Sequence, residues 1–184
     1  MKKILALFTI IPFMLSCNGQ DNPNYKYSKE ETETFLNEIS KNAKASITDL
    51  TEINRKPADE FGIITRYPLS KKNTEEYITN RGTVVNKDDD ISDFATYTFK
   101  NYELINEKNE KLKFVDKGKA IYLQEYGLWD YHKIVYQNLG IAIDLNKKFE
   151  KLKGFISIEF KMPNGTSKEI KIPINISIYD KVPD

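Results

Sequence analysis

The sequence predicts a mainly β domain, an antiparallel β-sandwich or open barrel with one N-terminal helix. Three observations predict it. Ile156, Ile158, Phe160 and Met162 alternate with polar residues, and after Pro163-Asn164-Gly165 the alternation resumes at Ile170, Ile172, Ile174, Ile176 and Ile178. Side chains on a strand point to opposite faces with period two, so each run sends one whole face into a core. Upstream, short stretches rich in Tyr, Phe, Thr and Ile are punctuated by turn residues, the pattern of antiparallel sheets rather than of βαβ units. Helical spacing occurs chiefly near the start, at Phe35, Leu36, Ile39 and Ala43.

In chain order, residues 18–27 carry Asn, Gly and Pro without periodicity and read as a flexible tether. Ser28 opens the helix. Ser28 and Glu31 have the capping-box spacing, and Glu30, Glu31 and Glu33 suit the positive end of the helix dipole. The helix is expected to reach Ala45; Ile47 and Leu50 either extend its stripe or lie where a strand opens near Thr48. Residues 62–67 read as a short strand stopped by Pro68, residues 74–78 as a helical turn or more, and residues 82–85 as another short strand. Residues 86–93 form an acidic loop.

Residues 94–105, 111–115 and 119–125, separated by turn signals, suggest a three-stranded meander. Residues 127–138 read as one more strand, although Gly127 leaves open a loop over residues 126–131 with exposed rings. Residues 140–145 are short and apolar, and residues 146–153 are charged, with Phe149 and Leu152 to one side. In the final hairpin Gly165 can take the positive φ a tight turn requires. Pro173 has no amide to donate, so its strand is expected at a sheet edge or to carry a local irregularity.

The N-terminus has its own logic. Met1-Lys2-Lys3 precedes an uncharged apolar run over residues 4–15, then Ser16-Cys17 and the polar Asn18-Gly19-Gln20-Asp21. A short basic start, an apolar stretch and a small residue before a break form a signal peptide. The run is shorter than the roughly 20 apolar residues a spanning helix needs, and Pro12 interrupts it. Leu15-Ser16-Cys17 resembles the lipobox of bacterial lipoproteins, with Met14 standing where Leu, Val or Ile is usual.

The resemblance implies that Cys17 is lipidated with a diacylglyceryl group and an N-acyl chain (such as palmitate) and becomes the mature N-terminus. Each buried CH₂ contributes ~0.8 kcal/mol, so one chain binds marginally and two or more bind stably. The composition, rich in Lys, Asn and Ile, is similar to that of envelope lipoproteins of Bacteroidota. Asn18, where enteric lipoproteins retained in the inner membrane carry Asp, implies the outer membrane. The expected organisation is a signal peptide over 1–16, the lipidated cysteine and tether over 17–27, and one β-rich domain over 28–184.

Loss of Lys2 and Lys3 with the leader moves the formal charge from +1 to −1. A near-neutral domain has no electrostatic case for nucleic acid. Cys17 is the only cysteine, so a lipidated chain keeps no thiol for redox chemistry or disulfides. The single histidine, His132, has no G-x-S-x-G elbow to serve, and the usual zinc ligand sets are missing. Asp88, Asp90 and Asp93 offer oxygen ligands for calcium, but their loop lacks the turn glycine and closing glutamate of an EF-hand. Lys147, Lys148, Lys151 and Lys153 form a basic patch diluted by Glu150.

The strongest recognition feature is the aromatic set Tyr122, Tyr126, Trp129, Tyr131 and Tyr136. Tyr and Trp give rigid contact area with a polar tip and dominate binding hot spots; Tyr126, Trp129 and Tyr131 are the expected binding surface. The chain is thus expected to be a non-enzymatic envelope lipoprotein without cofactor, anchored to the membrane and bound to another envelope protein in an assembly or immunity role. The alternatives are a glycan-binding lipoprotein using the rings near Trp129, and an envelope hydrolase with an acidic or metal site.

Overall fold

The computed structural model describes residues 26–47, 56–80, 82, 95–115 and 121–179. The expectations for the signal peptide, Cys17, residues 83–85 and the acidic loop with Asp88, Asp90 and Asp93 lie outside the described residues. Helix α1 (Lys29–Asn42) starts where its cap places it. Glu31 N–H donates to Ser28 Oγ at 3.2 Å, and Ser28 N–H donates to Glu31 Oε2 at 2.7 Å. Phe35, Leu36 and Ile39 are buried, as their spacing predicts. The helix stops short of Ala45. Ala43 is extended (φ −66°, ψ 126°), because β1 (Lys44–Ser46) gains a backbone ladder against β2 (Ala58–Pro68).

A second helix, α2 (Lys71–Thr79), follows β2, with Ser70 Oγ accepting from Asn73 N–H. The remaining strands are β3 (Thr96–Asn106), β4 (Gln124–Tyr131), β5 (Ile134–Phe149), β6 (Lys151–Lys161) and β7 (Ser167–Ser177). They make two antiparallel sheets, ordered β1-β2-β5-β4 and β3-β6-β7. The final hairpin forms as expected, with Ile156 opposite Ile172, Ile158 opposite Ile170, and β7 with Pro173 at the edge.

Two expectations change. The three-stranded meander does not form. β3 pairs with the distant β6, while residues 111–115 make only isolated bridges, Ile105 to Lys111 and Phe114 to Leu145. Tyr122 bridges Thr96 before the chain joins the other sheet as β4. These crossings stitch β3 to β5 and partly close the sandwich into a barrel. Residues 127–138 are not one strand either. They fold back at His132-Lys133, so β4 and β5 form a hairpin that continues into residues 140–149.

Both sheets send one face into a shared core. Ile141, Ile143, Leu145 and Phe149 of β5 share one core with Leu152, Ile156, Ile158 and Phe160 of β6, and Phe35, Leu36 and Ile39 of α1 join it from a helix packed against β2 and β7. Phe61 and Phe149 meet edge to face at 6.5 Å. Only Glu150 separates β5 from β6, so the chain passes from one sheet to the other at a single corner. Glu107 Oε2 accepts from the backbone N–H groups of Glu150 (2.9 Å) and Lys151 (3.2 Å) there. A close approach follows: Gly154 has φ +136°, and a Cβ on it would overlap the Glu103 carbonyl of β3.

The strand directions define two ends. The corner and the Asn106–Glu110 turn mark the lower end. The β6–β7 turn, the end of β2 and the β4–β5 turn mark the upper end. Helix α1 descends from the upper end. Thr32 meets Asn164 and Thr166 of the β6–β7 turn, Phe35 packs on Tyr67 at 5.0 Å, and Ile39 O accepts from Thr65 Oγ1. The chain therefore enters the domain at its upper end.

Gly154→Ala adds a side chain to a left-handed backbone with a carbonyl in its way. It is expected to cost about 3 kcal/mol or more, read as a lowered midpoint in thermal or denaturant unfolding; an unchanged midpoint would refute the close approach. Acid gives a second test. Backbone N–H groups of Glu150, Glu107 and Lys151 hold the Glu107 carboxyl below its ordinary value of 4.5, and hydrogen bonds from Lys147 and Lys100 do the same for Glu110 and Glu159. A carboxyl with a depressed folded pKa contributes stability that is complete above the unfolded value and lost as pH falls through the folded one. The unfolding midpoint should therefore hold at neutral pH and decline once pH drops below about 4.5.

Candidate functional site

The outer face of the β4–β5 hairpin carries the aromatic set. Parity decides this. On β5, Val135, Gln137, Leu139 and Ile141 are buried and point inward, so Ile134, Tyr136, Asn138 and Gly140 face out. On β4, Trp129 pairs with Tyr136 and Tyr131 with Ile134, which puts all four side chains on one outward face. Trp129 is 52% exposed, Tyr131 54% and Ile134 43%, so these side chains are displayed rather than used as core. Tyr136 is half-buried, with the Arg66 guanidinium 4.5 Å from its ring centroid, a cation–π contact.

Tyr126 reaches the same face by a different route. The register slips between Glu125 and Gly127, a bulge that re-aims the residue in between. Gly127 takes φ +133°, and the Tyr126 ring lies over Gly140, where a Cβ would stand 2.8 Å from Tyr126 Cε2 and 2.7 Å from the Ile63 carbonyl. Gly140 is thus bare because two groups occupy its side-chain space. Partial burial raises the Tyr126 hydroxyl above its ordinary value of 10.0, with the Glu60 charge adding to it, so the ring stays a neutral phenol.

At the tip, His132 and Lys133 both adopt left-handed backbone (φ 51° and 66°) in a two-residue turn. Such a turn ordinarily uses Asn-Gly, because side chains on left-handed residues crowd the backbone at roughly 1–2 kcal/mol each. The His132 ring packs edge-on against Tyr131 at 4.1 Å. His132 is exposed on this turn, not a polar position within a strand.

Of the residues singled out from sequence, Tyr126, Trp129 and Tyr131 are gathered on one face, and Tyr122 is exposed nearby on the segment bridged to Thr96. Cys17, Asp88, Asp90 and Asp93 lie outside the described residues. Arg66, Ile134 and the His132-Lys133 turn were not marked by sequence as one site. Their signal is positional, the outward parity of a strand whose start was hidden inside a run read as continuous. Among the described residues, no group of three or more acidic, His or Cys side chains is placed to hold a metal ion. Comparison of the chain with protein-family models, with curated proteins and with solved structures finds no match.

The strain at the tip is testable. Lys133→Gly relieves a left-handed residue and is expected to raise stability by about 0.5–1 kcal/mol, a Tm gain of roughly 1–4 °C. A fall in Tm would show that the turn is not left-handed at Lys133.

Proposed function

We propose that the protein is a lipid-anchored envelope module that works by binding rather than catalysis, with a second envelope protein as its partner in an assembly or immunity role. The observation that carries the reading is the pairing of a lipobox-like start ending at Cys17 with a face of displayed rings on the folded domain. A soluble domain that needed those rings only for folding would bury them, as it buries Phe35, Phe61, Phe149 and Phe160. Tyr126 on the sheet face is the contact residue for the partner, and Arg66 beside Tyr136 supplies a cation to the same face.

A glycan is the second reading, favoured by the exposure of Trp129, since an indole face can stack on a sugar ring. The localisation proposed with either reading is the outer membrane.

One experiment addresses both halves of the reading. Cells producing the full chain are fed a labelled fatty acid, with a photo-crosslinking residue in place of Tyr126. The expected result is a labelled protein crosslinked to one discrete envelope protein, and an unlabelled, unprocessed precursor for Cys17→Ala. Label persisting in Cys17→Ala removes the anchor. Absence of any crosslinked species, together with a Trp129 emission change on adding oligosaccharides, replaces the protein partner with a glycan.

A further inference from the structure

One group of exposed apolar side chains stands at an end of the domain. Among the described residues, Trp129, Tyr131 and Ile134 are all exposed and stand together at the upper end, on the tip of the β4–β5 hairpin. Ile121 and Tyr122, also exposed, precede the start of β4 and so lie at the other end of the hairpin, where Tyr97 N–H donates to the Ile121 carbonyl. Tyr131 and Ile134 flank the hairpin turn. Val115 and Tyr179, also exposed, sit toward the lower end, beside Asp144 and Glu150.

The upper end is also where the chain enters, because α1 begins beside the β6–β7 turn and runs downward. This coincidence has a mechanical meaning if Cys17 carries lipid. Between Cys17 and Lys26 the chain spans at most about 30 Å, even fully extended. The end that carries the exposed Trp, Tyr and Ile side chains is then confined to within that distance of the bilayer surface.

We infer that the upper end, led by the tip of the β4–β5 hairpin, rests in the interfacial layer of the membrane that holds the anchor. The inference rests on the lipid-anchor reading and names what the tip of the aromatic surface touches. Trp and Tyr are at home in that layer, since the ring takes the apolar side and the N–H or O–H takes the wet side. Ile134 supplies apolar area beside them, and Lys133 at the turn can place its ammonium among lipid phosphates while its stem lies along the rings. Asp130 is the acidic residue of the tip; it pairs with Val135 on the opposite face of the hairpin from Trp129 and Tyr131.

Affinity for lipid need not be high. A tether holds the tip at a large effective concentration near the surface, so contacts too weak for a free protein become occupied. Two attachments, lipid at Cys17 and the hairpin, fix the tilt of the domain where one would leave it free to swing. The sheet face around Tyr126 then lies beside the membrane, open to a partner carried in the same plane.

Trp129 is the only tryptophan in the chain, so its emission reports on this hairpin alone. The full-length protein, purified from cells fed labelled fatty acid, is reconstituted into vesicles of phosphatidylethanolamine and phosphatidylglycerol, with plain or brominated acyl chains. The expected result is a labelled protein whose emission is lost in brominated vesicles and shielded from aqueous iodide in plain ones. The double variant Tyr131→Ser with Ile134→Ser should regain emission in brominated vesicles with its circular dichroism and lipid label unchanged. A labelled protein whose emission is equal in both vesicles and open to iodide overturns the inference and leaves the anchor standing. An unlabelled protein that is still quenched overturns the anchor and keeps the membrane contact. Emission that ignores bromine but shifts with an oligosaccharide or an envelope protein assigns the tip to that ligand instead.

Discussion

The passage of the chain through Glu150 governs the rest of the fold. Phe149 and Leu152 are both fully buried, yet they belong to different sheets, with Glu150 and Lys151 between them. A corner that tight leaves backbone donors turned away from either ladder. An unpaired donor costs free energy comparable to a lost hydrogen bond. The Glu107 carboxylate takes two of those donors, and it can reach them only because β3 ends beside β6. The pairing of β3 with β6 in turn brings the Glu103 carbonyl against residue 154, which must therefore be glycine. Corner, turn and close approach thus specify one another, and the separation of the two sheets follows from them.

Parts of this were legible in the sequence and parts were not, for identifiable reasons. The capping box at Ser28 and the isoleucine alternation of β7 are local signals, complete within a dozen residues, and both elements formed where the pattern placed them. The pairing of β3 with β6 joins residues about fifty positions apart, and nothing in either strand names the other. The β4–β5 hairpin was hidden because its turn uses His132-Lys133 instead of a glycine-containing pair. With no punctuation at 132 and 133, the apolar and aromatic residues on either side merged into one run. The early end of α1 had the same kind of cause, since residues 44–46 gain more from pairing with β2 than from one further helical turn.

The candidate surface shows the same division. Composition alone marked Tyr126, Trp129 and Tyr131, because Tyr and Trp are the residues that binding surfaces favour. What composition left open was whether those rings face solvent or core. That depends on the parity of β5, on the bulge that turns Tyr126 outward, and on the bare Gly140 beneath it. A hairpin turn built from two strained residues has a physical correlate. Strain of this kind persists only where surrounding structure holds it, and here long, well-paired strands do so.

Pro173 also bears on how the chain meets other copies of itself. β7 closes one sheet and β1 lies alongside it, but among the described residues no backbone ladder joins the two. A strand edge of this kind is a template for another copy of the same chain. Pro173 removes a donor midway along β7, and Lys171 beside it puts a charge on the same stretch. Pro173 and Lys171 thus make this edge a poor template for a second copy of the chain.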